Sequence, residues 1–124
     1  MSEVGPATAG VLADVHAERI RQEMIGQTKR SLGIDWRSCA DPAMAGGDGT
    51  RYAVLGEEVG EVANAMLEAG YALPSPTSTA FQIMEVEEYQ AIRRAGEAHL
   101  RAELVQVAAV AVAWAEAIDA RAEP

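Results

Sequence analysis

The sequence predicts an all-α protein, a four-helix bundle with a long loop after its first helix. Three observations carry that expectation. Apolar residues recur at helical spacing over most of the chain. The apolar supply is mostly Ala, Val, Leu and Ile, with aromatics at only 5%, which favours helices packed closely on one another. No segment reads as a strand. At 124 residues the chain is expected to form one domain, 1–124, with enough length for a real core.

The first helix is expected from about Ala7 to Arg30, with Leu12, Val15, Ile20 and Met24 on one broad half and Asp14, Glu18 and Arg21 on the other. The stretch "SLGIDWRSCADPAMAGGDGT" is rich in Gly, Asp, Ser and Pro and reads as a loop. Loops of that length in small domains are often functional. A second helix should run from about Arg51 to Glu68 and stop at Gly70. After the connector "YALPSPTSTA", the charged segment "FQIMEVEEYQAIRRAGEA" reads as a third helix, bent or broken at Gly96. The last, "HLRAELVQVAAVAVAWAEAIDARA", is the most apolar part of the chain and should be central.

Composition narrows the function. A net charge of −9 repels phosphate backbones and argues against nucleic acid, yet admits a phosphorylated small molecule if a divalent cation neutralises both sides. No run approaches the ~20 apolar residues of a membrane span. The opening "MSEVGPATAG" lacks the basic and apolar regions of a secretory signal, and a single cysteine, Cys39, has no internal disulfide partner. A cytoplasmic setting is expected.

The two most apolar helices carry matching acidic residues. Shifting the chain by 45 residues lays Leu55 on Leu100, Glu58 on Glu103, Val59 on Leu104 and Glu61 on Gln106. At about 100° per residue, Leu55, Val59, Val62 and Met66 form one apolar stripe, and Leu100, Leu104, Val107, Ala111 and Ile118 another. Glu58 and Glu61, like Glu103 and Gln106, then sit roughly 60° and 120° to one side. Antiparallel helices packed by these stripes would aim Glu58, Glu61, Glu103 and Gln106 into one groove. Mg²⁺ binds a few carboxylates while keeping waters for a phosphate to displace, and i, i+3 neighbours can share an ion. Without an ion, such carboxylates repel and are driven to protonate. The ordinary reading of a glutamate pair on a helix flank is a solvated face, and Glu85, Glu87 and Glu88 are read that way.

"LGEEVGEVANAM" together with "LRAELVQVAAVAVAW" resembles the MazG-like branch of the all-α nucleoside triphosphate pyrophosphohydrolases, marked by Glu-Glu-x-x-Glu on one helix and Glu-x-x-Asp on a later one. The resemblance covers about half the chain. It implies Mg²⁺-dependent cleavage (Mn²⁺ as a substitute) of a nucleoside triphosphate to the monophosphate and pyrophosphate. By position it makes Glu58, Glu61 and Glu103 metal ligands, and Glu57 a further ligand or the residue that orients the attacking water. The family's aspartate position is Gln106 here, whose carbonyl can bind a metal but brings no charge. The stretch between the two motifs is also longer than the family's. Glu116 and Asp119 also read Glu-x-x-Asp, but Glu116 lies about 140° round the helix from Glu103, and the pair is read as a solvated C-terminal turn.

Substrate phosphates need donors, and Lys29 and Arg51 are the candidates taken forward, among arginines whose ordinary role is a surface salt bridge. Trp36 is a candidate to stack on a base, against a simpler role plugging the bundle end. Asn64 lies near Glu61 on the helix and is a further candidate to contact substrate, against the ordinary role of facing solvent; Asp48 in "GGDGT" reads as a turn. The last helix is hard to cover within 124 residues, so a homodimer or homotetramer is expected, as the resemblance also implies. The alternative to an enzyme is a non-catalytic helical bundle that binds a nucleotide or protein partner through a degenerate metal site, and Gln106 favours it.

Overall fold

In the computed structural model, residues 4–122 are described, and among them the chain is all-helical: α1 Pro6–Ser31, α2 Gly47–Ala72, α3 Thr79–Ile83 and α4 Val86–Ala122. The ends of the expected span 1–124, and the first residues of the N-terminal stretch, lie outside the described residues. No described helix is long and apolar enough to cross a membrane.

Four helices are present, but their division differs from the expectation. The charged segment and the apolar C-terminal segment form one 37-residue helix, α4, and the separate third helix shrinks to the five residues of α3. Gly96 does not end α4. It lies where α4 crosses α2, and a Cβ built on it would come within 3.1 Å of the Ala69 Cβ. The glycine therefore permits close approach of two helices, which offsets its weak helix propensity of about 1 kcal/mol. Gly96→Leu should push the helices apart and cost roughly 1–3 kcal/mol of stability, read from the midpoint of urea unfolding. Helix α2 likewise runs through Gly70 to Ala72, and begins at Gly47 rather than Arg51.

Helix α4 is the central element, packed on α2 and, less extensively, on α1. Helices α2 and α4 run antiparallel, with Ala69 against Gly96 at one end and Asp48 against Trp114 and Arg121 at the other. Helices α1 and α2 flank α4; among the described residues their Cα atoms stay more than 8 Å apart, and the loop after α1 lines the pocket between them.

The contact faces follow the stripes of large apolar residues only in part: Leu55 packs against the cluster of Cys39, Val110 and Ala113, and Val62, Leu100 and Val107 are half-buried. Helix α1 buries Val15, Arg19 and Gly26 and leaves Leu12, Ile20 and Met24 exposed. Helix α2 buries Arg51 and Ala65; α4 buries Val105, Ala109, Val110, Ala113 and Ala117. Val59, Met66, Leu104 and Ile118 remain about half exposed. Small side chains let backbones approach more closely than Leu or Met would, so the seams form along alanine and glycine. The result rotates α2 by about 80° from the expected stripe and turns Glu58 toward the interior.

Candidate acidic groove between α1, α2 and α4

The loop after α1 is folded back by specific polar contacts. Gly33, at φ 81°, takes the left-handed conformation that ends α1, and the Ile34 amide donates to the Lys29 carbonyl. Arg30 donates to the Trp36 carbonyl, and the Trp36 ring packs over Gly26, where a Cβ would meet it at 3.0 Å. Arg51 then fastens the far side. Its guanidinium donates to the carbonyls of Cys39 at 2.7 Å and Asp41 at 2.8 Å, and to Asp48 at 3.2 Å.

A second set of contacts fixes α1 against α4. Arg19, buried on α1, reaches Glu116 of α4 at 2.8 Å and also Gln22 and Glu23, while Glu23 accepts from the Ser38 hydroxyl of the loop. Glu116 is therefore an interhelical partner, which corrects its reading as part of a solvated turn. Asp48 is more than a turn residue: it accepts from Trp114 at 2.9 Å and pairs with Arg121 at 2.9 Å. Those bonds hold its carboxyl below the usual range, Arg121 contributing most.

Within this frame lies a cavity of about 260 Å³. Glu18 and Arg21 of α1, Trp36 and Arg37 of the loop, Glu58 of α2 and Gln106 of α4 face it, above an apolar floor that includes Val54 and Val110. Glu58 is the distinctive group. One of its carboxylate oxygens, Oε2, is buried without a hydrogen-bond partner. Burial raises its pKa above the ordinary glutamate value, and the charges of Glu103, then Glu57, Glu61 and Glu18, raise it further. An orphaned buried oxygen in a field of like charge is costly unless something positive meets it.

The expected site residues separate into three groups. Glu58 and Gln106 line the cavity, and Glu103 is half-buried next to Glu58, its strongest charged neighbour. Glu57 and Glu61 stand exposed and outside the cavity lining, though their charges act on Glu58. Among the described residues, no three His, Cys, Asp or Glu side chains already converge as a ligand cluster. Mg²⁺ itself needs only one or two carboxylates, since waters and substrate phosphates complete its shell. The buried orphan oxygen and the all-oxygen donor set of Glu58, Glu103 and Gln106 fit that ion.

The expected substrate contacts fare less uniformly. Trp36 lines the cavity; Lys29 does not, its ammonium lying 5.7 Å from the Trp36 ring centre. Arg51 is corrected: it is 2% exposed and its donors are engaged by the loop, so it positions the cavity wall rather than meeting a phosphate. Asn64 is exposed, bonded to Glu68, and outside the cavity lining. Sequence reasoning missed Glu18, Arg37 and Ser38. Glu18 is held by Arg21 three residues on, and that i, i+3 pair at the centre of α1 was the available signal. Arg37 and Ser38 sit in the loop, where no periodicity announces which side chain turns inward.

Compared with protein-family models, with curated proteins and with solved structures, the chain matches none of them.

Proposed function

We propose that the groove binds a divalent cation together with a nucleoside triphosphate, and that the protein is a Mg²⁺-dependent pyrophosphohydrolase releasing a nucleoside monophosphate and pyrophosphate. The observation that carries this reading is the orphaned, buried Oε2 of Glu58, under the charge of Glu103, in the lining of a cavity large enough for part of a nucleotide. Glu58 and Glu103 would hold the cation, with the Gln106 carbonyl as a neutral third donor and Glu61 adding its charge. Bound there, Mg²⁺ supplies charge neutralisation of the polyphosphate and acidifies water.

The rest of the work falls to the chain's own groups. Glu57, exposed and beside the groove, orients the attacking water. Arg21 and Arg37, which face the cavity, supply donors to phosphate oxygens that the ion leaves free. Trp36 offers its ring to the base once Lys29 swings aside. The cytoplasm, with its millimolar Mg²⁺ and nucleotides, is the proposed setting.

A second reading has its own support. Gln106 stands in the cavity wall where the resembled family has an aspartate, so the groove is one negative charge short. A protein of this kind could bind nucleotide and ion without turnover. Pyrophosphate release from a panel of ribo- and deoxyribonucleoside triphosphates, with Mg²⁺ or Mn²⁺, separates the two. Metal-dependent release is expected for at least one nucleotide. Binding without release from any of them would replace the hydrolase by the binding protein, and Gln106→Asp should then restore turnover.

A further inference from the structure

The cavity has two ends of different chemistry. At the α1·α4 end stand Glu18, Arg21 and Gln106, which also line a shallower groove between those two helices. At the loop end Gln22, Ile25, Trp36 and Ser38 form the wall, and none of them lines that groove. A base stacked on Trp36, with its phosphates toward Glu58 and Arg21, turns the edge away from its sugar to the loop-end wall. Gln22 and Gly26 are one helical turn apart, ~6 Å along α1. The Trp36 ring packs over Gly26, so the Gln22 amide stands beside the ring that takes the base.

Three arginines behind this wall set its hydrogen-bonding sense. Arginine carries donors and no acceptor, so each group it meets must present an oxygen. Arg19, 7% exposed, donates to Gln22 Oε1 at 2.9 Å and is itself held by Glu23 and Glu116. That bond fixes the Gln22 amide with its oxygen on Arg19 and leaves Nε2, which can only donate, as its remaining polar atom. Arg30 takes the Trp36 carbonyl at 3.0 Å, and Arg51 takes the Cys39 carbonyl at 2.7 Å. The Ser38 hydroxyl gives its proton to Glu23 and accepts from the Ala40 amide. Ile25, Val54 and Val110 add only apolar surface. Among the described residues the loop end therefore offers a donor, while these acceptors are already engaged.

We propose that the loop end is a base pocket that selects keto bases, those with a carbonyl oxygen on the edge away from the sugar, and that Gln22 determines the choice. The inference rests on the nucleotide reading of the groove. Uracil and thymine turn O4 to Gln22 Nε2, and guanine turns O6. Cytosine and adenine turn an amino group to the same place, so that a donor is buried against a donor. Such a base loses its hydrogen bonds to water and gains none in the pocket, which is the stronger half of the discrimination. Arg19 makes the choice durable, because flipping the amide to present its oxygen would set Nε2 against a buried guanidinium.

UTP and CTP differ at this edge, oxygen against amino group, and their comparison in Mg²⁺ tests the inference on the full chain. For the wild type, kcat/KM for UTP should exceed that for CTP about 10-fold or more. Gln22→Leu removes the donor and should collapse that ratio toward unity with the helical circular dichroism kept. Gln22→Glu keeps an oxygen on Arg19 and turns another to the base, so it should reverse the preference; it serves in place of Gln22→Leu if that variant fails to fold. Turnover with a wild-type ratio of one or less, or a ratio that a folded Gln22 variant leaves unchanged, overturns the inference while the hydrolase reading stands. Where no nucleotide turns over, calorimetric binding of the α,β-methylene analogues of UTP and CTP makes the same comparison. A preference for the UTP analogue that Gln22→Leu abolishes would then sustain the inference and remove the hydrolase. Binding of neither analogue would overturn both.

Discussion

Glu58→Gln is expected to make the metal-free protein more stable and to abolish the proposed pyrophosphohydrolase activity. The two effects share one cause. In the fold, burial and then Glu103 raise the Glu58 pKa, so the folded state favours the protonated carboxyl. A carboxyl with a raised folded-state pKa contributes stability that is fully present below the unfolded pKa. That contribution is lost as pH rises through the folded one. Above it, ionised Glu58 is a liability, with Oε2 buried and without a partner. Glutamine cannot ionise, and its amide can donate toward Glu103. The variant should therefore melt higher than the wild type at about pH 8, and the difference should vanish toward about pH 4. On the proposed function, pyrophosphate release should fall on the order of 100-fold or more, since the variant weakens a proposed ligand of the cation. Differential scanning fluorimetry across pH, beside the turnover assay, reads both. A uniform loss of stability at every pH would show that the carboxylate is a structural hydrogen-bonding group instead.

Arg51→Ala should be the most destabilising single change near the groove. The guanidinium is 2% exposed and satisfies the backbone carbonyls of Cys39 and Asp41 in the loop while contacting Asp48 on its own helix. Truncation leaves two carbonyls short of a donor and a space at the base of α2. A loss of about 3 kcal/mol follows, measured by urea unfolding. Arg51→Lys keeps the charge but cannot span both carbonyls, so it should recover only part of that loss. Because the same loop carries Trp36, Arg37 and Ser38 to the cavity, limited proteolysis should also begin between Ser38 and Gly46 in Arg51→Ala, and not in the wild type.

Much of the fold was legible because helix periodicity survives whatever the helices pack against. The long α1 and α2, the loop between them and the central α4 follow from spacing, glycine and proline. What misled was size. The rows of Leu, Val and Met around Val59 and Leu104 read as contact faces, but the helices meet along Ala65, Ala69, Gly96, Ala109, Ala113 and Ala117. Hydrophobic patterning weights large side chains, whereas close packing of backbones selects small ones. Gly96 misled for the same reason: a glycine in a charged helix reads as a break until its neighbour is known.

The site was legible where it rests on helices and obscure where it rests on the loop. The 45-residue offset pairs Glu58 with Glu103, and in the structure Glu103 exerts the largest charge effect on Glu58, after burial. Arg51 reads as a phosphate donor in the sequence because substrate phosphates need cations and few are present. Its engagement by Cys39 and Asp41 depends on a loop conformation that composition does not encode. Glu116 shows the converse. It was set aside correctly as a partner of Glu103, yet its ion pair with Arg19 needs α1 to be placed before it can be seen.

The central claim is that the Glu58 groove is a cation site. Mn²⁺ titration followed by the paramagnetic resonance signal of the free ion tests it most directly, on the wild type and on Glu58→Gln, with and without a non-hydrolysable nucleoside triphosphate analogue. Binding to the wild type, tightened by the analogue and weakened about 10-fold or more in Glu58→Gln, is the predicted result. Equal affinity in the two proteins, or no binding to the wild type even with the analogue present, would contradict it.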